Sequence, residues 1–173
     1  MPDKRETVSP MAMEDLEQMF EHELEDIYYA EHELVDVLAD LADETQNEDI
    51  KQVLQEHRDE TQEHIDRVEQ VFGMIGEPPE EEECEGIQGL VTEHEEFVEM
   101  DPDEDLLDIH NVVAAQKTEH YEIAAYGNLA QQADRLGMDE AGDLLHQNLV
   151  EEEQALEKLK DLTEQFDFET VTQ

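Results

Sequence analysis

Apolar side chains recur at steps of three, four and seven along most of this chain, and no other feature restricts its fold so severely. From Leu16 the series runs through Phe20, Leu24, Ile27, Leu34, Leu38 and Leu41, which predicts a long amphipathic helix over about 13–45. Asn47 is placed to cap a second helix, whose buried stripe is Ile50, Val53, Leu54, Ile65, Val68, Val71, Phe72 and Ile75. Gly76-Glu77-Pro78-Pro79 ends it. Glu80 to Glu85 reads as a solvated acidic loop. Ile87, Leu90, Val91, Phe97 and Val98 predict a short helix over 86–100, broken at Asp101-Pro102. A third long helix is expected over about 103–136 with Gly137 as its C-terminal cap. A fourth follows over about 139–166, with Leu145, Leu149, Leu156, Leu159 and Leu162 inward.

No segment alternates with the period of a strand, so the fold class expected is all-α. Four long helices with short first and third connections and one long middle connection predict an up-down-down-up four-helix bundle. The long middle connection is the ferritin-like pattern among bundles, with a short crossover helix between helices 2 and 3. One bundle domain is expected over 13–166, between a polar N-terminal tail over 1–12 and a C-terminal tail over 167–173.

Charge is the second constraint. The 173 residues carry 52 Asp and Glu against 9 Lys and Arg, a formal net charge of -43. Acidic disordered chains lack periodic apolar residues, and this chain has them. The composition therefore points to a folded protein of a salt-rich, haloarchaeal type of cytoplasm, where the Debye length falls to roughly 3 Å at 1 M and repulsion is screened. Nine scattered cations build no basic patch, so neither nucleic acid nor an anionic membrane is an expected partner. No apolar run exceeds four residues, and Met1 to Pro10 lacks the apolar core of a secretory signal. A cytoplasmic location is the expectation. Cys84 is the only cysteine, which excludes an internal disulfide and multi-cysteine metal sites and leaves His and carboxylates as ligands.

Acids almost vanish between Ile109 and Met138, where three occur in 30 residues, two of them Glu119 and Glu122 one helical turn apart. This segment is predicted to be the most buried helix. An unpaired buried carboxylate costs several kcal/mol, so such groups persist only when protonated, paired or bound to a metal. Glu31 falls on the apolar stripe of the first helix and Glu152 on that of the fourth. Taken singly, either one reads equally well as a solvated Glu at the stripe's edge. On the second helix His57 lies on the stripe, with Glu60 three residues later and His64 four after that. All three can face one site. Each histidine alone also fits a core-edge imidazole bonded to a carboxylate, and six of the eight histidines follow a Glu, so that dipeptide carries no information. Carboxylates from four helices with neighbouring ligands a turn away follow the logic of di-iron and di-manganese bundles, whose metals favour oxygen-rich, imidazole-poor sets. Tyr28, Tyr29, Tyr121 and Tyr126 all lie within seven residues of Glu31 or Glu119, where packing with a satisfied hydroxyl is the commoner role.

Asp26-Ile27-Tyr28-Tyr29-Ala30-Glu31, His57-Arg58-Asp59-Glu60-Thr61, Cys84-Glu85-Gly86-Ile87-Gln88-Gly89-Leu90, Ala114 to Ile123 with its Glu119-His120-Tyr121-Glu122, and Glu151-Glu152 resemble, in that order, the YciE/YciF family of ferritin-like proteins. The resemblance runs over about 14–163. It implies a ferritin-like bundle with a dinuclear centre of two divalent ions, iron or manganese, and a role in stress responses. Carried over residue by residue, the family's motif carboxylates fall on Glu31, Glu60, Glu119, Glu122 and Glu152, with His57 as the motif histidine. The Glu-x-x-Glu of the third helix also looks like that of rubrerythrins. Unlike those relatives, this chain has no His three residues after Glu60 or Glu152, where Glu63 and Ala155 stand, and no four-cysteine rubredoxin module. Both absences argue against efficient ferroxidase or peroxidase chemistry. Glu151 remains a rival to Glu152, and His64 to His57. The resemblance also implies a homodimer, for which Ile87, Leu90, Val91 and Phe97 leave apolar surface, and an open coordination position would admit oxygen or peroxide. The competing expectation is a non-catalytic bundle whose inner acids and histidines form a hydrogen-bonded polar layer.

Overall fold

The structure, a computed structural model, describes residues 12–172. It contains five α-helices, α1 (Leu16–Glu44), α2 (Glu48–Ile75), α3 (Glu85–Val98), α4 (Glu104–Arg135) and α5 (Asp139–Gln165), followed by a single 3-10 turn at Phe168–Thr170. No strand occurs among the described residues. Apart from Ala12, the polar tail expected over 1–12 lies outside them. Local chemistry sets the ends. The Asp15 side chain accepts from the Gln18 N–H to start α1, and Asn47 accepts from Asp49 and Ile50 to start α2. Gly76 and Gly137, at φ 75° and 73°, take the left-handed conformation that stops α2 and α4.

The four long helices close a circuit of contacts, α1 with α2, α2 with α5, α5 with α4 and α4 with α1, while α3 lies outside against α4. Contacts between α1 and α4 join Glu23 to Gln132, Glu31 to Tyr126 and Thr45 to Asn111, so the two run in opposite directions. Those between α2 and α5 join Arg67 to Asn148 and Glu60 to Lys158, again antiparallel. The crossover helix rests on both α1 and α4. Gln88 donates to the Tyr29 hydroxyl, and His94 meets Glu44 on α1 and His110 on α4.

Two expectations are corrected by this packing. Cys84 does not belong to a solvated loop. It is buried as the N-cap of α3, its sulfur 3.1 Å from the Tyr121 hydroxyl and 3.5 Å from the Ile87 nitrogen. Nor is α4 distinctly the most buried helix, since it buries 12 of its 32 residues against 11 of 29 in α1. Part of its outer face is covered by the crossover, where Cys84 and Gly86 meet Tyr121 and His94 and Phe97 meet His110, and six of its 12 buried residues are polar. The apolar residues of the crossover pack within the chain in part, with Leu90, Val91 and Phe97 left half-buried. Ile87 is buried, Leu90 and Val91 pack on the core, and Phe97 stacks on His110 with ring centres 3.8 Å apart.

The apolar core falls into two clusters. One gathers Phe20, Leu24, Ile27, Leu34, Val68, Phe72, Tyr126, Leu129 and Leu145 with their neighbours; the other gathers Leu38, Leu41, Ile50, Leu54, Val112, Ala115 and Leu159. Each fully buried Leu, Ile or Phe in them contributes roughly 1.5–3 kcal/mol. Between the clusters, α2, α4 and α5 place buried polar residues instead: His57, Thr61 and His64, then Thr118, Glu119 and Glu122, then Asn148 and Glu152.

One buried acid fixes the relation of α4 to the α1–α2 connection. Asp108 accepts from the backbone N–H groups of Gln46 and Asn47, both at 2.8 Å, across 62 and 61 residues of sequence. Hydrogen bonds to a charged acceptor contribute about 1.5–3 kcal/mol each, but here both donors lie in an exposed turn where water can replace the lost acceptor. Asp108→Ala should therefore lower stability by about 2 kcal/mol. Urea unfolding in molar salt reads this as a lower midpoint at unchanged helicity, and an unshifted midpoint would rule out the tether.

Candidate metal centre

Helical spacing brings the polar residues of the middle layer to one place. On α2 the buried stripe descends through Ile50, Leu54, His57, Thr61, His64 and Val68, and Glu60 falls one position off it. On α4 Glu119 and Glu122 point inward, on α1 Glu31, and on α5 Glu152. The four carboxylates and His64 are 0% exposed and His57 5%. Two groups of potential donor atoms result, each within 4.8 Å of one another: His57, Glu119, Glu122 and Glu152 in one, Glu31, His64 and Glu152 in the other. Glu152 belongs to both.

Of the residues expected at the site, five come together, and His64 joins them. Glu60 stands apart. It is partly exposed, with its carboxylate 3.5 Å from Lys158 Nζ and 3.6 Å from His57 Nδ1. Glu151 also sits outside both groups, on Arg67 Nη1 at 2.6 Å and on His64 Nε2 at 3.0 Å. Sequence spacing could have separated these, because Thr61 and His64, not Glu60, continue the steps of four and three from His57. The role of Tyr126, whose hydroxyl donates to Glu31 Oε1, had no signal beyond proximity in sequence.

The short contacts inside the layer are not hydrogen bonds. His57 Nε2 lies 2.7 Å from Glu119 Oε1, and His64 Nδ1 lies 2.8 Å from Glu152 Oε1 and 3.4 Å from Glu31 Oε1. Yet seven of the eight oxygens of Glu31, Glu119, Glu122 and Glu152 have no aligned donor; the exception is Glu31 Oε1 on Tyr126. The distance says contact and the direction denies a hydrogen bond. Direction decides, because a bond weakens steeply off axis whereas donors converging on a common point are arranged like ligands. Buried polar atoms without partners are rare in folded proteins, and so many in one layer require an explanation.

Electrostatics agree. Burial, then repulsion from Glu152, Glu31 and Glu119, holds the Glu122 carboxyl far above its usual range. Burial and Glu119 push Glu152 up to about 8 against the opposing pull of His57 and His64. For the histidines burial works the other way and loses: Glu119 and Glu152 hold His57 well above its ordinary value, and Glu152 with Glu31 lifts His64 to about 10. Burial would also raise Glu31, but His64 and Tyr126 hold it below the carboxylate range. Without cations the layer retains protons at neutral pH. The donor set of four carboxylates and two imidazoles fits hard or borderline divalent metals, and a multi-thiolate site is out of reach.

A helical fold with a buried carboxylate–histidine layer between two apolar clusters defines the class. Within it, the chain belongs to the family described as a domain of unknown function (DUF892), whose model matches residues 15–171. It is 39% identical over 153 residues to the protein YciF of Escherichia coli, covering 88% of this chain and 92% of that one. Among solved structures it resembles YcfI of Rhodopseudomonas palustris, for which a structural role has been suggested, with a TM-score of 0.85, 38% identity and coverage of 88% and 97% of the two chains. It also resembles the crystal structure of the Escherichia coli stress protein YciF, with a TM-score of 0.83, 39% identity and coverage of 87% and 95%. A protein of Xanthomonas campestris, at 21% identity, a TM-score of 0.67 and coverage of 88% and 96%, shares the fold.

The raised groups set a pH dependence. Glu152, raised from 4.5 to about 8, binds more protons folded than unfolded across that interval, and His64 does the same from 6.5 to about 10. A group of this kind contributes stability that is complete below its unfolded value and is lost as pH climbs through the folded one. Metal-free protein should accordingly lose stability steadily from about pH 5 to pH 10, and cations, which replace the protons, should offset the loss more at higher pH. Thermal midpoints in molar salt with chelator, at pH 5.5 and 8.5, check this. A flat or rising midpoint, or the same slope in Glu152→Gln, would contradict it.

Proposed function

We propose that this chain is a ferritin-like, up-down-down-up four-helix bundle over 13–166 that holds two divalent cations, iron or manganese, and serves metal handling or the response to oxidative and other stress. The opposite directions of α1 and α4 and of α2 and α5 support that topology. The observation that carries the metal reading is the convergence of seven unpartnered carboxylate oxygens in a fully buried layer. Glu31, His57, His64, Glu119, Glu122 and Glu152 would hold the pair, with Glu152 common to both positions. When bound, such ions supply Lewis-acid and one-electron redox chemistry toward oxygen or peroxide. The residues themselves keep the layer dry, leave the inner oxygens free of hydrogen-bond donors and, through Tyr126, fix one oxygen of Glu31. Escherichia coli YciF is described as a stress protein, which supports the stress assignment for this relative. The charge of -43 supports a salt-rich cytoplasm, and the resemblance supports a homodimer. Among the described residues no helix is long and apolar enough to cross a membrane.

A second reading, a non-catalytic bundle with a polar layer held by protons alone, is favoured by the raised carboxyls of Glu122 and Glu152, which protons can neutralise, and by the structural role suggested for YcfI. Glu119→Gln with Glu122→Gln separates the two. Removing two inner carboxylates should abolish binding of iron and manganese while helicity persists, and should make the metal-free fold more tolerant of low salt. The control pair Glu95→Gln and Glu96→Gln, on exposed positions of α3, should bind as the parent does. Undiminished binding by the first pair would leave the proton-held layer as the better account.

A further inference from the structure

His64 is the one histidine of the layer whose outward nitrogen is clamped. Its Nδ1 faces Glu152 Oε1 at 2.8 Å and Glu31 Oε1 at 3.4 Å without an aligned hydrogen bond. Its Nε2 faces the other way, hydrogen-bonded at 3.0 Å to Glu151 Oε2. Glu151 is itself immobilised: Arg67 grips both of its oxygens, Nη1 to Oε2 at 2.6 Å and Nη2 to Oε1 at 3.1 Å, and Gln147 donates to Oε1 at 3.2 Å. Arg67 Nη1 also donates to Asn148 Oδ1 at 2.8 Å, and the Asn148 amide donates to the His64 carbonyl at 3.3 Å. In a chain with only nine Lys and Arg, a guanidinium whose side chain is 12% exposed gives Glu151 two hydrogen bonds, while its Nη2 also donates to the exposed Glu63 at 3.2 Å. Planar bidentate pairing of this kind fixes orientation as well as charge.

Resting on the metal reading above, we propose that Glu151, held by Arg67, is a positioning residue that fixes the Nε2–H of His64 and so makes Nδ1 the nitrogen presented to a cation at the Glu31–His64–Glu152 position. An imidazole with one nitrogen held by a carboxylate presents the other as a ligand in a fixed direction, and loss of such a partner weakens metal binding about 10- to 100-fold. Without Glu151 the ring is free to carry its proton on Nδ1, donate it to Glu152 and close that position. The equivalent arrangement at His57 is open: Nδ1 lies 3.6 Å from Glu60, beyond hydrogen-bond reach, and Glu60 in turn lies 3.5 Å from Lys158. The two cation positions are thus unequal in how their histidines are fixed, and only one depends on Glu151.

Manganese(II) titration in molar salt, with free ion followed by electron paramagnetic resonance, reads the two positions separately. Wild type should take two equivalents. Glu151→Ala should keep one within about twofold and weaken the other about 10- to 100-fold, Arg67→Met should weaken the same equivalent less, and Glu151→Asp should restore part of it. A second readout needs no metal: the Nε2–H proton of His64 should give a protected, downfield-shifted NMR resonance in wild type and lose it in Glu151→Ala. Two unchanged equivalents in Glu151→Ala, loss of both with helicity intact, or absence of the protected resonance in wild type would each overturn the proposal. A wild type that shows the resonance but binds no manganese would instead overturn the metal reading on which it rests.

Discussion

Four carboxylates and two imidazoles share a layer that water does not reach, and the rest of the structure is arranged around holding them there. Desolvation and mutual repulsion drive Glu122 and Glu152 far from their usual ionisation, while the same carboxylates raise His57 and His64 above theirs. An apolar layer of equal volume would be easier to fold. The apolar clusters on either side supply the stability that such a layer removes, and the Asp108 tether together with α3 fixes the helices that carry it.

The surface poses the complementary problem. Most of the 52 acids are spread over exposed faces, and salt bridges to the few cations are mostly at exposed positions, where each contributes little. Two of those cations lie beside the layer: Arg67 on Glu151 and Lys158 on Glu60. Scarcity makes their location informative. In a sequence rich in Lys and Arg the same pairs would merge into an ordinary surface network.

Much of this is legible in the sequence alone. The steps of three and four located all five helices to within a few residues, because a chain this acidic can bury only its apolar stripe, and Asn47, Gly76 and Gly137 marked ends by side-chain capping or a left-handed backbone. Glu31, Glu119, Glu122 and Glu152 were legible for the same reason, as acids on or beside that stripe. Which neighbours share the interior was harder. Glu60 and His64 differ by about 40° around α2, since each residue turns the helix by roughly 100°, and a motif read in sequence order does not resolve that angle. The burial of Cys84 and the covering of α4 by α3 depend on where the crossover helix lies, a long-range fact with no local signal. The clamp on His64 likewise joins residues 81 to 87 positions apart in the chain.

The account stands on cations filling the layer. Elemental analysis and an optical spectrum of protein purified in molar salt, from cells supplied with both iron and manganese, measure this directly. Close to two ions per chain is the predicted result, with any iron showing oxygen- and nitrogen-ligated absorption and no thiolate bands. Helical protein carrying essentially no metal, and taking up none on titration at pH 8, would contradict the account and leave a layer held by protons alone.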